Sequence, residues 1–260
     1  MRADRGYYKV QLARDAQDLA AVQRLRYRVF VEELGGDGPL VDHANRLERD
    51  DFDDLADHLI LIDERAGGTP EDRIVGVYRL LPGSRLHSGQ RFYSESEFDL
   101  SPLRATGRPL LELGRSCVAR DHRGGTGMMM LWNGLADYIL SRGIEILFGA
   151  ASFHGTDVAA LAQPLSYLHH HHLAPETLRV RAIGTDAAPI ALLSRNAVDR
   201  KAAMLGTPAL IKAYLRLGGY VGEGAFVDHA FNTTDVCLVM DTQRMSTRHR
   251  DFYIRKAELK

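Results

Sequence analysis

Cysteine is nearly missing from this chain. The two that occur, Cys117 and Cys237, have no CxxC spacing and no cysteine or histidine neighbours at metal-ligand spacing. That excludes a disulfide framework and a structural zinc site, and it predicts a reducing compartment. Net charge is missing as well: 33 basic against 34 acidic side chains leave −1. No overall field draws nucleic acid, so an acidic partner has to be met by a local basic patch. No apolar run approaches the ~20 residues that span a bilayer, and the opening MRADRGYYKVQLARD lacks the apolar core of a signal peptide. These absences predict a cytoplasmic chain without a nucleic-acid partner, attached to the inner membrane, if at all, only peripherally.

What is present is a composition of 45% hydrophobic and 26% charged residues, enough to bury a core. Residues 16–33, AQDLAAVQRLRYRVFVEE, place Leu19, Val22, Leu25, Val29 and Phe30 near helical spacing and predict one amphipathic helix. An acidic turn, LERDDFDD, runs into a strand over 58–63, and RIVGVYRLLP after a Gly-Thr-Pro turn gives its hairpin partner. Residues 83–109 read as loop with at most short helices. LELGRSCVA is the next strand, followed by an Arg/Gly turn and a helix with Met128, Leu131, Trp132, Leu135 and Ile139 on one face.

EILFGAASF is apolar enough for a central strand, and Thr156 or Asp157 is placed to cap a helix running through His170. Residues 173–207 show no clean period. PALIKAYLRLGG is a helix closed by glycine, and two strands follow with a turn near Asn232. With no repeat and no linker, the expectation is a single mixed α/β domain over 1–260 ending in a basic tail from about 244 to 260.

A strand, an Arg/Gly turn and a helix start form a common phosphate cradle, because turn N–H groups and the positive helix end converge there. The candidates are Arg123, Gly124, Gly125, Thr126 and Gly127.

This order of elements resembles the GNAT superfamily of acyltransferases. The resemblance implies an acyl-CoA N-acyltransferase-like fold, a central and mostly antiparallel sheet flanked by helices. The usual RGxGxG pattern is one residue short here, which favours the phosphopantetheine of an acyl carrier protein over coenzyme A. RYRVFVEE, ERDDFDD, GVYRLLP and ELGRS resemble, in order, blocks of the acyl-homoserine-lactone synthases, and carry over Arg28, Phe30, Asp50, Asp53, Arg79, Glu112 and Arg115. ASFHGTDVAALAQPLSYLHHHHLAP, PALIKAYLRLGGYVGEGAFVDHAFNTTDVC and LWNG look like the L-ornithine N-alpha-acyltransferases of bacterial ornithine-lipid synthesis.

That last resemblance runs from about Tyr27 to Cys237. It implies transfer of a 3-hydroxyacyl chain from acyl carrier protein to the alpha-amino group of L-ornithine, giving lyso-ornithine lipid, with no metal and no permanently bound cofactor. The alternatives are a lactone synthase, an N-acyltransferase for another amino acid, and a carrier-protein-binding module without turnover.

Amine attack on a thioester needs a proton acceptor and an oxyanion donor. Glu112 is the candidate base, directly or through a water. In a regular strand it and Arg115 point to opposite faces; a bulge at Gly114 would bring both to one face and free a backbone N–H. The alternative is an ordinary ion pair. Asp50 and Asp53 are placed to orient an ammonium and Arg79 a carboxylate, or else the acidic turn is simply solvated. Arg28 either pins the first helix over the acyl chain or joins that network. Asp228, Asp235 or Glu223 is the candidate for ornithine's second ammonium, and Tyr167 is either a proton donor to the leaving thiol or a packed aromatic.

Cys117 reads as a small buried strand residue, since GRSCV does not fit the GxSxG elbow. His169 to His172 cannot converge on one ion, because successive helical residues point ~100° apart; they are expected to meet carbonyls at a helix end. The basic tail is placed to dock on acyl carrier protein or an anionic membrane, with Lys212 and Arg216 as an alternative patch.

Overall fold

The computed structural model describes residues 7–124 and 126–244. Gly125 of the Arg/Gly turn and all of the basic tail beyond Arg244 lie outside the described residues. The chain divides into two compact units, Met1–Arg85 with Leu113–Gly143, and Leu86–Glu112 with Ile144–Lys260.

The first unit contains β1 (Tyr8–Leu12), α1 (Ala16–Arg26), β2 (Asp57–Asp63), β3 (Ile74–Pro82), the larger part of β4 (Leu110–Val118) and α2 (Thr126–Arg142). Its strands lie in the order β1, β2, β3, β4. The expected hairpin forms, antiparallel from Asp57 opposite Leu80 to Ile62 opposite Ile74. β1, in which Tyr8, Val10 and Leu12 alternate with Lys9 and Gln11, was not foreseen and pairs with β2 antiparallel.

Asp15 caps α1 by accepting from the N–H groups of Gln17 and Asp18. Val22 and Leu25 of α1 and the following Val29 pack with Ile60, Ile62, Ile74, Val77 and Cys117, and Phe30 rests on the same cluster. The helix expected over 16–33 is α-helical only to Arg26, and Tyr27–Glu33 form a π-helix. Tyr27, Val29, Phe30 and Val31 are β-branched or aromatic residues, which favour α-helix less than unbranched aliphatic ones do.

The second unit holds the first three residues of β4, β5 (Ile146–His154), α3 (Ala162–His172), α4 (Ala209–Arg216), β6 (Ala225–Asp228) and β7 (Thr233–Asp241). β4 pairs parallel with β5 from Leu110 opposite Ile146 to Glu112 opposite Phe148. β5 and β7 are antiparallel along their whole length, and β6 with Ala187–Ala188 completes the edge. Asn232 makes the expected turn, at φ +51°. α3 starts later than expected: Asp157 accepts from the N–H groups of Ala159 and Ala160, but the helix begins at Ala162 with Pro164 in its first turn.

The fold is thus mixed α/β, with mostly antiparallel strands and flanking helices. Among the described residues no helix is long and apolar enough to cross a membrane.

Candidate active site

In the first unit three guanidinium groups and three carboxylates alternate around a closed ring. Arg26 bonds Glu48 through Nε, and Asp53 through Nη1 at 2.6 Å. Arg79 Nη1 bonds Asp50 at 2.5 Å and Asp53 at 3.1 Å. Arg115 closes the ring, with Nε 3.0 Å from Glu48 and Nη2 3.1 Å from Asp50. Buried charges persist only when paired in this way. Burial alone would raise the three carboxyl groups. The fields and hydrogen bonds of the flanking arginines overcome it and hold Glu48, Asp50 and Asp53 below the usual carboxylate range.

Asp50 and Arg115 side chains keep 14% exposure while the other four keep 4% or less. The ring therefore presents one edge, and Asp50 and Arg115 form it.

Asp50, Asp53 and Arg79 are brought together, and Arg115, read from the sequence with Glu112 and not with this group, joins them through Asp50. Arg28 is not: it is exposed, and Arg26, two residues earlier, enters the ring. Arg26 and Glu48 were missed by the sequence reading. The available signal was an arginine directly after Leu25 and four residues after Val22, on the apolar face of α1. Charge on such a face marks a buried pair.

Arg115 itself is backbone-strained, with φ +49° inside a strand. A left-handed residue breaks the two-residue alternation of side chains. The break falls one residue beyond Gly114. A Cβ on Gly114 would lie 3.8 Å from Arg79 Nε.

Glu112, the candidate base, belongs to the second unit. It is buried at 5% exposure, and its two carboxylate oxygens accept from the backbone N–H groups of Tyr93 (2.9 Å) and Ser94 (2.7 Å) at the start of a 3-10 turn. These bonds fix the carboxylate in one orientation.

At the Arg/Gly turn, Gly124 has φ +105°, a conformation open to glycine. Gly127 lets α2 lie close on β2, since a Cβ there would come 2.9 Å from Leu61 Cδ2. Thr126 begins α2. Arg123 donates to the Val118 carbonyl at 2.9 Å and to Glu33 at 2.7 Å.

In the second unit Glu97, Asp228 and Asp235 bring one carboxylate oxygen each within 4.8 Å of one another. Glu97 and Asp235 are buried. This spacing suits an ammonium or a metal ion, and among the described residues no other acidic, histidine or cysteine group has it. Glu97, from the segment read as loop, was not foreseen. Glu223 stands apart, paired with Arg181 at 3.0 Å.

Tyr167 is buried in α3, its ring 4.7 Å from that of His171 and 5.6 Å from that of His172. His170 Nε2 donates to the carbonyl of Leu193 at 2.8 Å, a carbonyl from another segment and not, as expected, from the helix's own end. Arg195 reaches the His170 carbonyl at 2.9 Å. Lys212 is occupied with the Met204 carbonyl at 3.0 Å.

Residues 25–133 match the acetyltransferase (GNAT) domain family. The L-ornithine N(alpha)-acyltransferase of Rhodobacter capsulatus is 64% identical over 251 residues, covering 96% of this chain and 96% of its own length. The protein of that name from Brucella abortus is 38% identical over 251 residues, 95% of this chain and 89% of its own. Among solved structures, FeeM, an N-acyl amino acid synthase from uncultured soil microbes, is similar with TM-score 0.52 at 11% identity, covering 92% of this chain and 93% of that one. The CoA-dependent acyl-homoserine lactone synthase BjaI is similar with TM-score 0.51 at 17% identity, covering 93% and 82%. At these identities the two structures bear on fold alone. With identity to named relatives running along nearly all of its length, the chain is a GNAT-fold acyltransferase and belongs to the L-ornithine N(alpha)-acyltransferase family.

Proposed function

We propose that this protein transfers a 3-hydroxyacyl group from an acyl carrier protein to the alpha-amino group of L-ornithine, forming lyso-ornithine lipid, with both units working as one acyltransferase domain. The observation that carries the acceptor assignment is 64% identity over 96% of both chains to an L-ornithine N(alpha)-acyltransferase. The short Arg/Gly turn supports a carrier-protein donor, whose arm has a single phosphate to hold. Arg123 with the Gly124–Gly127 turn takes that phosphate.

Ornithine enters as a dication with one carboxylate. In the first unit the Asp50 and Arg115 edge of the ring is the open charged surface, and Arg115 there suits a carboxylate. Glu97, Asp228 and Asp235 receive the side-chain ammonium. Glu112, directly or through a water, takes a proton from the alpha-ammonium, and the freed amine attacks the thioester carbonyl. The N–C bond forms, backbone N–H donors of β4 hold the oxyanion, the C–S bond breaks, Tyr167 protonates the departing thiolate, and the excess proton left on the nitrogen restores the Tyr167 hydroxyl through solvent. No covalent enzyme intermediate is needed. The product is an amphiphile, which suits a cytoplasmic enzyme working beside the inner membrane.

The test is to incubate the protein with a 3-hydroxyacyl carrier protein or the matching CoA thioester, and with a panel of amino acids and S-adenosylmethionine, following thiol release and product mass. Carrier- and ornithine-dependent release of an N-acyl-ornithine is expected. Release from the CoA thioester alone would overturn the donor assignment, and release with another acceptor alone the ornithine assignment. No release with any combination would leave a binding module.

A further inference from the structure

The residue placed to hold the donor's phosphate already holds an anion. Arg123 donates from Nη2 to Glu33 Oε2 at 2.7 Å, and from Nε to the Val118 carbonyl at 2.9 Å. The second bond anchors the guanidinium to the end of β4 without Glu33. Both partners are open to water: the Arg123 side chain is 45% exposed and that of Glu33 29%.

Glu33 closes the π-helix Tyr27–Glu33, a rare conformation that gathers at functional sites. A carboxylate at the negative end of a helix is poorly placed, and Arg123 is what compensates it. Glu32 beside it has its own arginine, Arg46. A carboxylate and a phosphodiester carry the same single charge and compete for the same guanidinium face.

We propose that Glu33 is an internal rival for the donor's phosphate. It holds Arg123 in the resting protein and lets go when the phosphodiester of a phosphopantetheine arm arrives. Because that phosphate is the same before and after acyl transfer, Glu33 weakens the loaded and the spent donor equally. Such uniform weakening raises the donor KM and hastens departure of the spent arm. The inference rests on the phosphate reading of the turn given above.

The experiment is steady-state kinetics of Glu33→Gln, Glu33→Asp, Arg123→Gln and the Glu33→Gln/Arg123→Gln pair, with acyl carrier protein as donor and the matching CoA thioester as competitor. Glu33→Gln should lower the donor KM, and the inhibition constant of the spent donor by the same factor, about two- to fivefold, the range of a partly exposed ion pair. Raised salt should shrink the difference. Arg123→Gln should raise both constants and erase the effect of Glu33→Gln in the paired variant. Glu33→Asp, which keeps the charge on a shorter arm, should fall between wild type and Glu33→Gln, and it carries the test if Glu33→Gln does not fold.

A parallel shift in the inhibition constant of the CoA thioester marks the pantetheine phosphate, which the two molecules share, as the competing group, and a shift confined to the carrier protein overturns that. If Arg123→Gln raises the donor KM but the Glu33 variants leave it unchanged or raise it, the phosphate site stands and the rivalry is wrong. If Arg123→Gln leaves the donor KM unchanged, the phosphate reading falls and the rivalry with it.

Discussion

Arg115 reaches Glu48 through Nε at 3.0 Å, and the other oxygen of that carboxylate is taken by the fully buried Arg26. One glutamate thus connects a strained strand residue at the exposed edge of the ring to a guanidinium that water never meets. Removing it leaves both arginines undercompensated. Glu48→Ala should destabilise the fold by about 3–5 kcal/mol, the cost of breaking a buried pair from one side. Urea unfolding checks this, and a loss below about 1 kcal/mol would mean that the ring is no more than a surface network.

Acid should unfold the protein through the same ring. Glu48, Asp50 and Asp53 are held below their unfolded values. Their contribution is therefore full above the unfolded carboxylate range of about 3.9–4.3 and fades as pH falls through and below it. Burial also lowers His58, so folding opposes its protonation and an earlier, shallower loss begins below about pH 6.5. Thermal midpoints across pH 3–8 should show both steps, and Asp53→Asn should flatten the lower one.

Glu112→Gln replaces one accepting oxygen by an NH2 group facing a backbone N–H of Tyr93 or Ser94. The expected cost in stability is about 1–3 kcal/mol, and turnover should drop by about 10²–10⁴ for a lost general base. Assays well below the melting temperature separate the two effects. Turnover within tenfold of wild type would remove Glu112 from the base role.

Asp228→Asn keeps the oxygen that caps the Ala230 and Phe231 N–H groups while removing a charge from the acidic triad. The KM for ornithine should rise by about tenfold, the scale of one charged hydrogen bond. The KM for 2-aminopentanoate, which lacks the side-chain amine, should hold still. Equal changes for the two substrates would place the triad elsewhere in the chemistry.

Cys117 is buried in the first core and its thiol is pushed up to about 12 by burial, so no thiolate is present at neutral pH. Cys117→Ala should keep most of the transferase activity, and a folded but inactive variant, checked by circular dichroism, would reinstate a covalent route.

Local elements were legible where pattern and neighbours agree. The β2–β3 hairpin, β4, α2, β5 and the turn at Asn232 follow from alternation, apolar runs and turn residues. β1 was legible too, since Tyr8, Val10 and Leu12 alternate with Lys9 and Gln11, but the run is only five residues long and it was passed over; pairing with β2 makes it a strand. The start of α3 slipped because Asp157 caps a single turn as readily as a helix. The shift from α to π geometry after Arg26 coincides with the aromatic and β-branched run Tyr27, Val29, Phe30 and Val31, a composition that weakens α-helix without naming the geometry that replaces it.

By itself the sequence determined the order of elements, the family, and the residue types that could handle an amine, a carboxylate and a phosphate, since these depend on short-range periodicity and recognisable blocks. Only the tertiary structure decided the partners: Arg26 in place of Arg28, Glu48 between two arginines, Glu97 beside Asp228 and Asp235, Glu33 on Arg123. Each is a long-range contact made when chain segments distant in sequence fold together. Which charge is buried against which depends on that packing, and spacing along the chain does not encode it.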